Sequence, residues 1–142
     1  MKSVSVSLDQ LSQESNFVDV IKEALDDRLI YNDGLESLQN SQLFVLYTGD
    51  VRVGFYSIDD LGCAVEAHAY IFQDYRRHSI KALRHIIASQ DKPIKTSVYG
   101  SHQHVVKFLT KVGFKITNIL DKALVRHGET YDVLELIYTK EK

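Results

Sequence analysis

The sequence has few of the residues that mark several classes of protein. It contains one cysteine, Cys63, which excludes a disulfide within the chain and a cysteine-based zinc site and favours a reducing compartment. No stretch approaches the roughly 18 apolar residues that a membrane span needs, and the N-terminal residues lack the apolar run of a signal peptide. We therefore expect a cytoplasmic protein with no membrane contact.

An excess of positive charge is also missing. The formal net charge is -2, which argues against a general nucleic-acid partner, because neutralising phosphates requires many lysines and arginines on one face. The six histidines follow no recognised ligand spacing, so no metal is expected. With 44% hydrophobic and 25% charged residues in 142, the composition is that of an ordinary globular protein, and residues 1–142 are expected to form a single domain.

The first part of the chain mixes strand and helix patterns. Alternation of Val4, Val6 and Leu8 predicts a first strand. A helix is predicted from about Ser15, with an apolar face made of Phe17, Ile21, Leu25 and Leu29. The polar segment 31–40 then predicts a loop or a short helix.

Three consecutive strands are predicted next. Residues 42–47 and 51–58 are apolar and β-prone, and the turn signal Thr48-Gly49-Asp50 between them predicts a hairpin. Residues 63–72 add a third antiparallel strand. The result is a meander.

The remaining elements alternate between segments with the hydrophobic spacing of a helix and segments with the pattern of a strand. Ile80, Leu83 and Ile87, with Ala82 and Ile86 beside them, predict a helix that begins near Ser79. Residues 94–99, after the only proline, predict a buried strand reached by a crossover. A further helix carries Val105, Phe108, Leu109 and Val112 and ends at Gly113, and residues 114–125 and 129–139 form a last hairpin.

This order of elements resembles the GNAT superfamily of acetyltransferases over essentially the whole chain. The stretch from Ala69 to Leu83 is similar to the family's strand, turn and pyrophosphate-binding helix start, and Val112-Gly113-Phe114 is similar to the Gly-Phe ending of its last helix. The resemblance implies an α/β (α+β) domain with a mixed, mostly antiparallel sheet of about seven strands and three to four flanking helices. It also implies an N-acetyltransferase that uses acetyl-CoA as cosubstrate.

The resemblance places the acetyl-CoA site where the strand ending at Phe72 runs into the basic helix, in the splay beside the strand that ends near Tyr99. Arg76 matches the family's Arg/Gln-x-x-Gly-x-Gly/Ala loop, whereas Ser79 and Lys81 replace its small residues. Arg77, Lys81 and His85 share a helix face, beside Arg76 and Arg84, so the stripe predicts either phosphate binding or a solvated basic face. The residues implied to bind the cosubstrate are Ile71, Phe72, Arg76, Arg77, His78, Ser79, Ile80, Lys81 and His102.

The catalytic groups are less standard. Leu109 stands where family members often have a tyrosine that protonates the leaving thiolate, and His102 stands where many have an asparagine. A base on the strand before the turn is implied, and Glu66 and His68 lie on one face of that strand with Tyr70. His68 has the more suitable unperturbed pKa, while Glu66 would need burial to raise its pKa. The alternative is that His68 is a hydrogen-bonded core residue.

Two functions from different classes remain open. The first is transfer of an acetyl group to an amine, on a small molecule or a protein, entering beside the first helix, where Asp33 and Glu36 favour a cationic acceptor. The second is a catalytically impaired GNAT-fold binding or structural module, similar to domains encoded by tailed bacteriophages, with a phage or host protein partner. Such a protein would reside in the host cytoplasm or the virion. The residues that carry this similarity are His68, Arg76-Arg77 and Phe108-Leu109.

Overall fold

The computed structural model describes residues 1–13, 41–100, 102–126 and 128–140. The helix predicted from about Ser15, the segment 31–40 and the acceptor residues Asp33 and Glu36 lie outside these ranges. The described elements are β1 (Lys2–Val6), α1 (Leu8–Ser12), β2 (Gln42–Thr48), β3 (Val51–Asp60), β4 (Val65–Ile71), a 3-10 helix (Gln73–His78), α2 (Ser79–Ala88), β5 (Ile94–Tyr99), α3 (Gln103–Val112), β6 (Lys115–Arg126) and β7 (Glu129–Tyr138).

The first strand is shorter than its alternation predicted. Strand β1 ends at Val6, and Leu8 begins the short helix α1 instead of extending the strand. Ser7 caps this helix: its Oγ accepts a hydrogen bond from the Gln10 amide at 3.1 Å, and Gln10 Oε1 accepts one from the Ser7 amide at 2.9 Å. This reciprocal pair is a capping box, which overrides the strand pattern at Leu8.

The predicted meander is present, with one shortened strand. Strands β2 and β3 form the hairpin, and β4 pairs antiparallel with β3. Strand β4 begins at Val65 because the chain turns before it, where Asp60 Oδ1 accepts a hydrogen bond from the Gly62 amide at 2.9 Å. Cys63 therefore lies outside the strand and is exposed.

The seven strands form one sheet in the order β1-β2-β3-β4-β5-β7-β6. Strands β4 and β5 are its parallel pair, and they are in register only at Val65 with Ile94 and at Glu66 with Lys95. Beyond these positions β4 follows β3 while β5 follows β7, so the two strands separate towards their carboxyl ends. The predicted mixed sheet with flanking helices is confirmed, and the opening between β4 and β5 positions the site.

Apolar side chains pack on both faces of the sheet. Helices α2 and α3 cover one face, where Ala82, Ile86, Val106 and Leu109 join the larger cluster of buried residues. Ile80, which the sequence placed on the apolar face of α2, is instead 41% exposed. The opposite face carries a smaller cluster, made of Leu11, Leu43, Val45, Phe55 and Tyr70. Helix α3 ends as predicted at Gly113, whose φ of 125° is unfavourable for residues with a side chain.

A chain of hydrogen bonds joins α2 to β1. The Tyr56 hydroxyl donates to Ser3 Oγ at 2.9 Å, and Ser3 Oγ lies 2.7 Å from Nε2 of His85. Since Ser3 Oγ already accepts from Tyr56, its own proton can be donated to a neutral His85 ring. Burial lowers the pKa of His85, with a smaller contribution from the N-terminal ammonium, which favours the neutral ring.

We expect the lowered pKa of His85 to make the protein less stable in mild acid. A group whose pKa is lower in the folded state than in the unfolded state stabilises the fold above its unfolded pKa, about 6.5 for histidine, and that stabilisation is lost as the pH falls towards the folded pKa. Urea unfolding at successive pH values below neutrality should therefore show a steeper loss for the wild type than for His85→Gln. His104→Gln, which changes an exposed histidine, is the control, and equal slopes in all three proteins would contradict the expectation.

Candidate active site

The separation of β4 and β5 opens a cavity of about 680 Å³ that reaches both faces of the sheet. On the helical side it is lined by apolar residues such as Ile86, Leu109 and Phe114. On the opposite side it is lined by polar residues of β3 and β4. Sites for small molecules commonly have this size and this mixture of an apolar wall with a few polar groups.

Two polar residues of β4 form a pair inside the cavity. His68 Nε2 lies 2.9 Å from Glu66 Oε1, and both side chains are about one-third exposed. The hydrogen bond from His68 lowers the pKa of Glu66, and the charges of His68 and Lys95 add to this effect against the opposing effect of burial. Glu66 therefore lacks the raised pKa that a general base near neutrality would need, and its carboxylate is placed to orient the His68 ring.

Arg76 joins the turn to the end of β4. Its Nε donates to the Ile71 carbonyl at 2.6 Å and its Nη2 donates to the Tyr70 hydroxyl at 3.2 Å. The guanidinium carbon also lies 5.2 Å from the centroid of the Tyr70 ring, within the range of a cation–π contact. These contacts hold the guanidinium beside the mouth of the cavity, which Arg76 lines.

The start of α2 differs from the loop that the resemblance implied. The six residues before it form a 3-10 helix, in which the Tyr75 amide donates to the Phe72 carbonyl at 2.8 Å. The Ser79 amide donates to the Arg76 carbonyl, and Ser79 Oγ bonds to the same carbonyl at 2.7 Å. The Tyr75 and Ser79 amides are therefore not free to bind an anion, because the 3-10 helix uses them.

The predicted basic stripe is divided between the 3-10 helix, which carries Arg77, and α2, which carries Lys81 and His85. Arg77 lines the cavity and Lys81 is exposed outside it, whereas His85 is bonded to Ser3 on β1. Arg77 is steadied by a hydrogen bond from Nη1 to the Asp74 carbonyl at 3.0 Å and lies over the Tyr75 ring. Of Arg77, Lys81 and His85, Arg77 is therefore the one that lines the cavity.

The structure brings most of the sequence-predicted residues to one cavity. Those that line it are Glu66, His68, Ile71, Arg76, Arg77, Ser79, Ile80 and His102. Those outside its lining are Phe72, which packs against the smaller apolar cluster, His78, which lies near the Tyr75 ring, and Lys81.

The helix α3 contributes the wall where the resemblance implied a tyrosine. Leu109 is 7% exposed and lines the cavity, so no hydroxyl is present at that position. His102 lies just before α3 and packs edge-on against the Tyr99 ring at 5.4 Å between centroids. Leu109 and His102 both line the cavity, and their roles stay a prediction.

Several cavity residues were missed by the sequence analysis. Ser57 and Asp59 alternate with the apolar residues Tyr56 and Ile58 on β3, and they face the same side as Glu66 and His68. The signal was available as a period of two between polar residues near the end of a strand. Tyr99, whose ring is 2% exposed, was assigned only as the end of a strand.

In the described ranges, no three histidine, cysteine, aspartate or glutamate side chains are grouped as a metal site would require. Nor do those ranges contain a helix whose length and apolar character would let it cross a membrane.

Comparison with known proteins finds likeness in structure alone. No protein-family model matches the sequence, and no curated protein matches it. The protein yncA from Salmonella typhimurium, solved with its cofactor acetyl-CoA, superposes with a TM-score of 0.76 at 15% identity, covering 100% of this chain and 95% of that one. The protein smu.2055 from Streptococcus mutans superposes with a TM-score of 0.74 at 19% identity, covering 98% of this chain and 99% of that one. The ribosomal-protein-alanine N-acetyltransferase from Brucella melitensis superposes with a TM-score of 0.73 at 12% identity, covering 99% of this chain and 100% of that one. At these identities the likeness establishes the fold, and this chain has the fold of the GNAT acetyltransferases.

Proposed function

We propose that this protein transfers the acetyl group of acetyl-CoA to an amine. The observation that carries the proposal is the cavity between the diverging ends of β4 and β5, which has an apolar wall on one side and the hydrogen-bonded pair Glu66 and His68 on the other. A thioester lying in the opening would have the apolar wall along its arm. An amine approaching from the opposite face would meet the Glu66 and His68 pair.

The residues at the mouth suit the cosubstrate. Arg76 and Arg77 place two guanidinium groups at the start of α2, and Ser79 lies beside them, so the phosphates of acetyl-CoA would be bound there mainly by charge. Ile80 is exposed at the same edge and offers an apolar contact to the arm. Ile71 and His102 would line the path towards the reacting carbonyl.

The reaction needs one proton acceptor. The amine nitrogen forms a bond to the thioester carbonyl carbon, the carbon–sulfur bond then breaks, and the proton lost by the amine passes to His68. The Glu66 carboxylate, at 2.9 Å, orients the ring and stabilises it once it is charged. CoA can leave as a thiolate, because a thiol pKa of about 8.5 makes this anion a stable leaving group without a tyrosine at position 109.

We expect acetyl-CoA to raise the melting temperature of the protein. A ligand that binds only the folded state adds about 2.7 kcal/mol to the unfolding free energy at one hundred times its Kd. The measurement is a thermal melt with and without acetyl-CoA, together with release of free CoA thiol in the presence of amines. Arg77→Glu should reduce the shift, whereas Arg84→Glu, on the same helix but outside the cavity, should leave it unchanged. No shift at millimolar acetyl-CoA would contradict the proposal.

A second candidate is that the fold binds a ligand or a protein without catalysis, as a virion-associated bacteriophage protein would. Leu109 in the cavity wall and the 3-10 helix at the start of α2 favour it, because both remove groups that family members use. The same melts separate the two functions. Stabilisation by acetyl-CoA without any thiol release, across a panel of amines, would support the second.

A further inference from the structure

Four polar residues form a compact patch on the face of the sheet opposite α2 and α3. Ser57 and Asp59 on β3 lie directly across from His68 and Glu66 on β4, and all four line the cavity. We refer to Ser57, Asp59, Glu66 and His68 as the polar quartet. Ser57 and His68 form one row of the quartet, and Asp59 and Glu66 form the other. The two rows are two positions apart along the strands, which corresponds to roughly 7 Å.

The two carboxylates of the quartet are not equivalent. Glu66 is paired with His68 at 2.9 Å, and Lys95 lies beside it on β5, lowering its pKa. Asp59 accepts a hydrogen bond from Ser41 Oγ at 2.6 Å, and it has no lysine, arginine or histidine within ion-pair distance among the described residues. The half-buried Asp59 carboxylate thus faces the cavity without a compensating positive charge.

Ser57 gives a second and independent indication of a ligand. It is 3% exposed and is the one buried polar residue among the described core residues. Within the described part of the chain, its hydroxyl makes no hydrogen bond. Although the residue as a whole is buried, its hydroxyl is not enclosed by protein and opens onto the cavity. Ser57 lines the cavity between Phe55 and Asp59, so a group bound there can supply a hydrogen-bond partner.

We infer that the polar quartet binds an acceptor with two basic nitrogens. This inference rests on the proposed acetyl transfer. The reacting nitrogen lies beside His68 and the Ser57 hydroxyl, which face each other across the two strands, and the second nitrogen, as an ammonium group, donates hydrogen bonds to Asp59 in the other row. Because the rows are roughly 7 Å apart, the two nitrogens of a short aliphatic diamine or polyamine can reach both positions. The substrate class is therefore an aliphatic diamine or polyamine instead of a simple monoamine.

The experiment compares two probes with the same carbon chain, diaminobutane and butylamine, in the acetyl-CoA-dependent release of CoA thiol. For the wild type, KM should be at least about tenfold lower for diaminobutane, because a hydrogen bond to a charged group contributes on that scale. Asp59→Asn should raise KM for diaminobutane by about tenfold and should raise KM for butylamine much less. Asp60→Asn is the matched control, because Asp60 is the next residue, exposed and paired with Lys92.

Equal KM values for the two amines in the wild type, or an Asp59→Asn protein that keeps its preference for the diamine, would overturn the inference. If Asp59→Asn does not fold, the wild type alone decides: added sodium chloride should raise KM for diaminobutane more than for butylamine. If neither amine is acetylated, thermal melts with CoA present measure how far each amine raises the melting temperature. Equal shifts by the two amines would overturn the inference. Failure of acetyl-CoA itself to bind would instead overturn the proposed acetyl transfer.

Discussion

Replacing His68 by alanine should lower turnover by about 10² or more while leaving the affinity for acetyl-CoA almost unchanged. His68 lies on the amine side of the cavity, and Glu66 fixes its ring through the 2.9 Å contact. Leu109 cannot exchange a proton, so the reaction depends on a base more than on an acid. The measurement is kcat and KM from CoA thiol release, with the acetyl-CoA melting shift measured on the same preparations.

Glu66→Gln distinguishes the roles of the two residues. If Glu66 acts by orienting the His68 ring and stabilising its charged form, the variant should keep more activity than His68→Ala. Its pH–rate profile should also be shifted relative to that of the wild type. If Glu66 is itself the base, Glu66→Gln should be the less active variant. A well-folded His68→Ala protein with full activity would show that His68 is not the base and is instead a hydrogen-bonded core residue.

The elements of this fold could be predicted because most of them carry a strong hydrophobic period. Strands β2 and β3, the helix α2 and the final hairpin were all anticipated from alternation or helical spacing. The prediction was wrong at Leu8, because side-chain capping by Ser7 and Gln10 is a local hydrogen-bonding effect that a hydrophobic pattern does not contain. It was also wrong for the face of Ile80, whose side chain lines the cavity and is 41% exposed.

The site could be predicted only in part. Alternation on β4 correctly placed Glu66 and His68 on one face, and the turn correctly placed Arg76 near the end of that strand. Their roles stay a prediction. Ser57 and Asp59 were missed because their importance comes from the strand register that sets them opposite His68 and Glu66, and register is a tertiary property. The bond of His85 to Ser3, which joins residues far apart in sequence, was hidden for the same reason.

The close approach of β3 and β4 at Gly54 carries the largest expected effect on stability. Gly54 is buried and lies opposite Ile71, and a Cβ built at this position would lie 2.3 Å from the Tyr70 carbonyl oxygen and 3.0 Å from the Ile71 Cα. Both of these atoms belong to the backbone, so they cannot move aside as a flexible side chain could. The strands would have to separate at the end of β4, where the Ile71 carbonyl also accepts the hydrogen bond from Arg76.

Gly54→Ala should therefore destabilise the protein by about 3 kcal/mol, at the upper end of the usual cost of overpacking, and lower the melting temperature by about 10 °C. The measurement is urea unfolding with a thermal melt. Gly49→Asn is the control, because Gly49 has a φ of 60° in the hairpin turn and open space around its Cβ position, and asparagine tolerates that conformation. Its stability should change little.

The separation of β4 from β3 should also weaken the hydrogen bond between the Ile71 carbonyl and Arg76, so Gly54→Ala should lose part of the acetyl-CoA melting shift even at temperatures where it is folded. A Gly54→Ala protein as stable as Gly49→Asn would show that β3 and β4 do not approach each other as closely as the register implies.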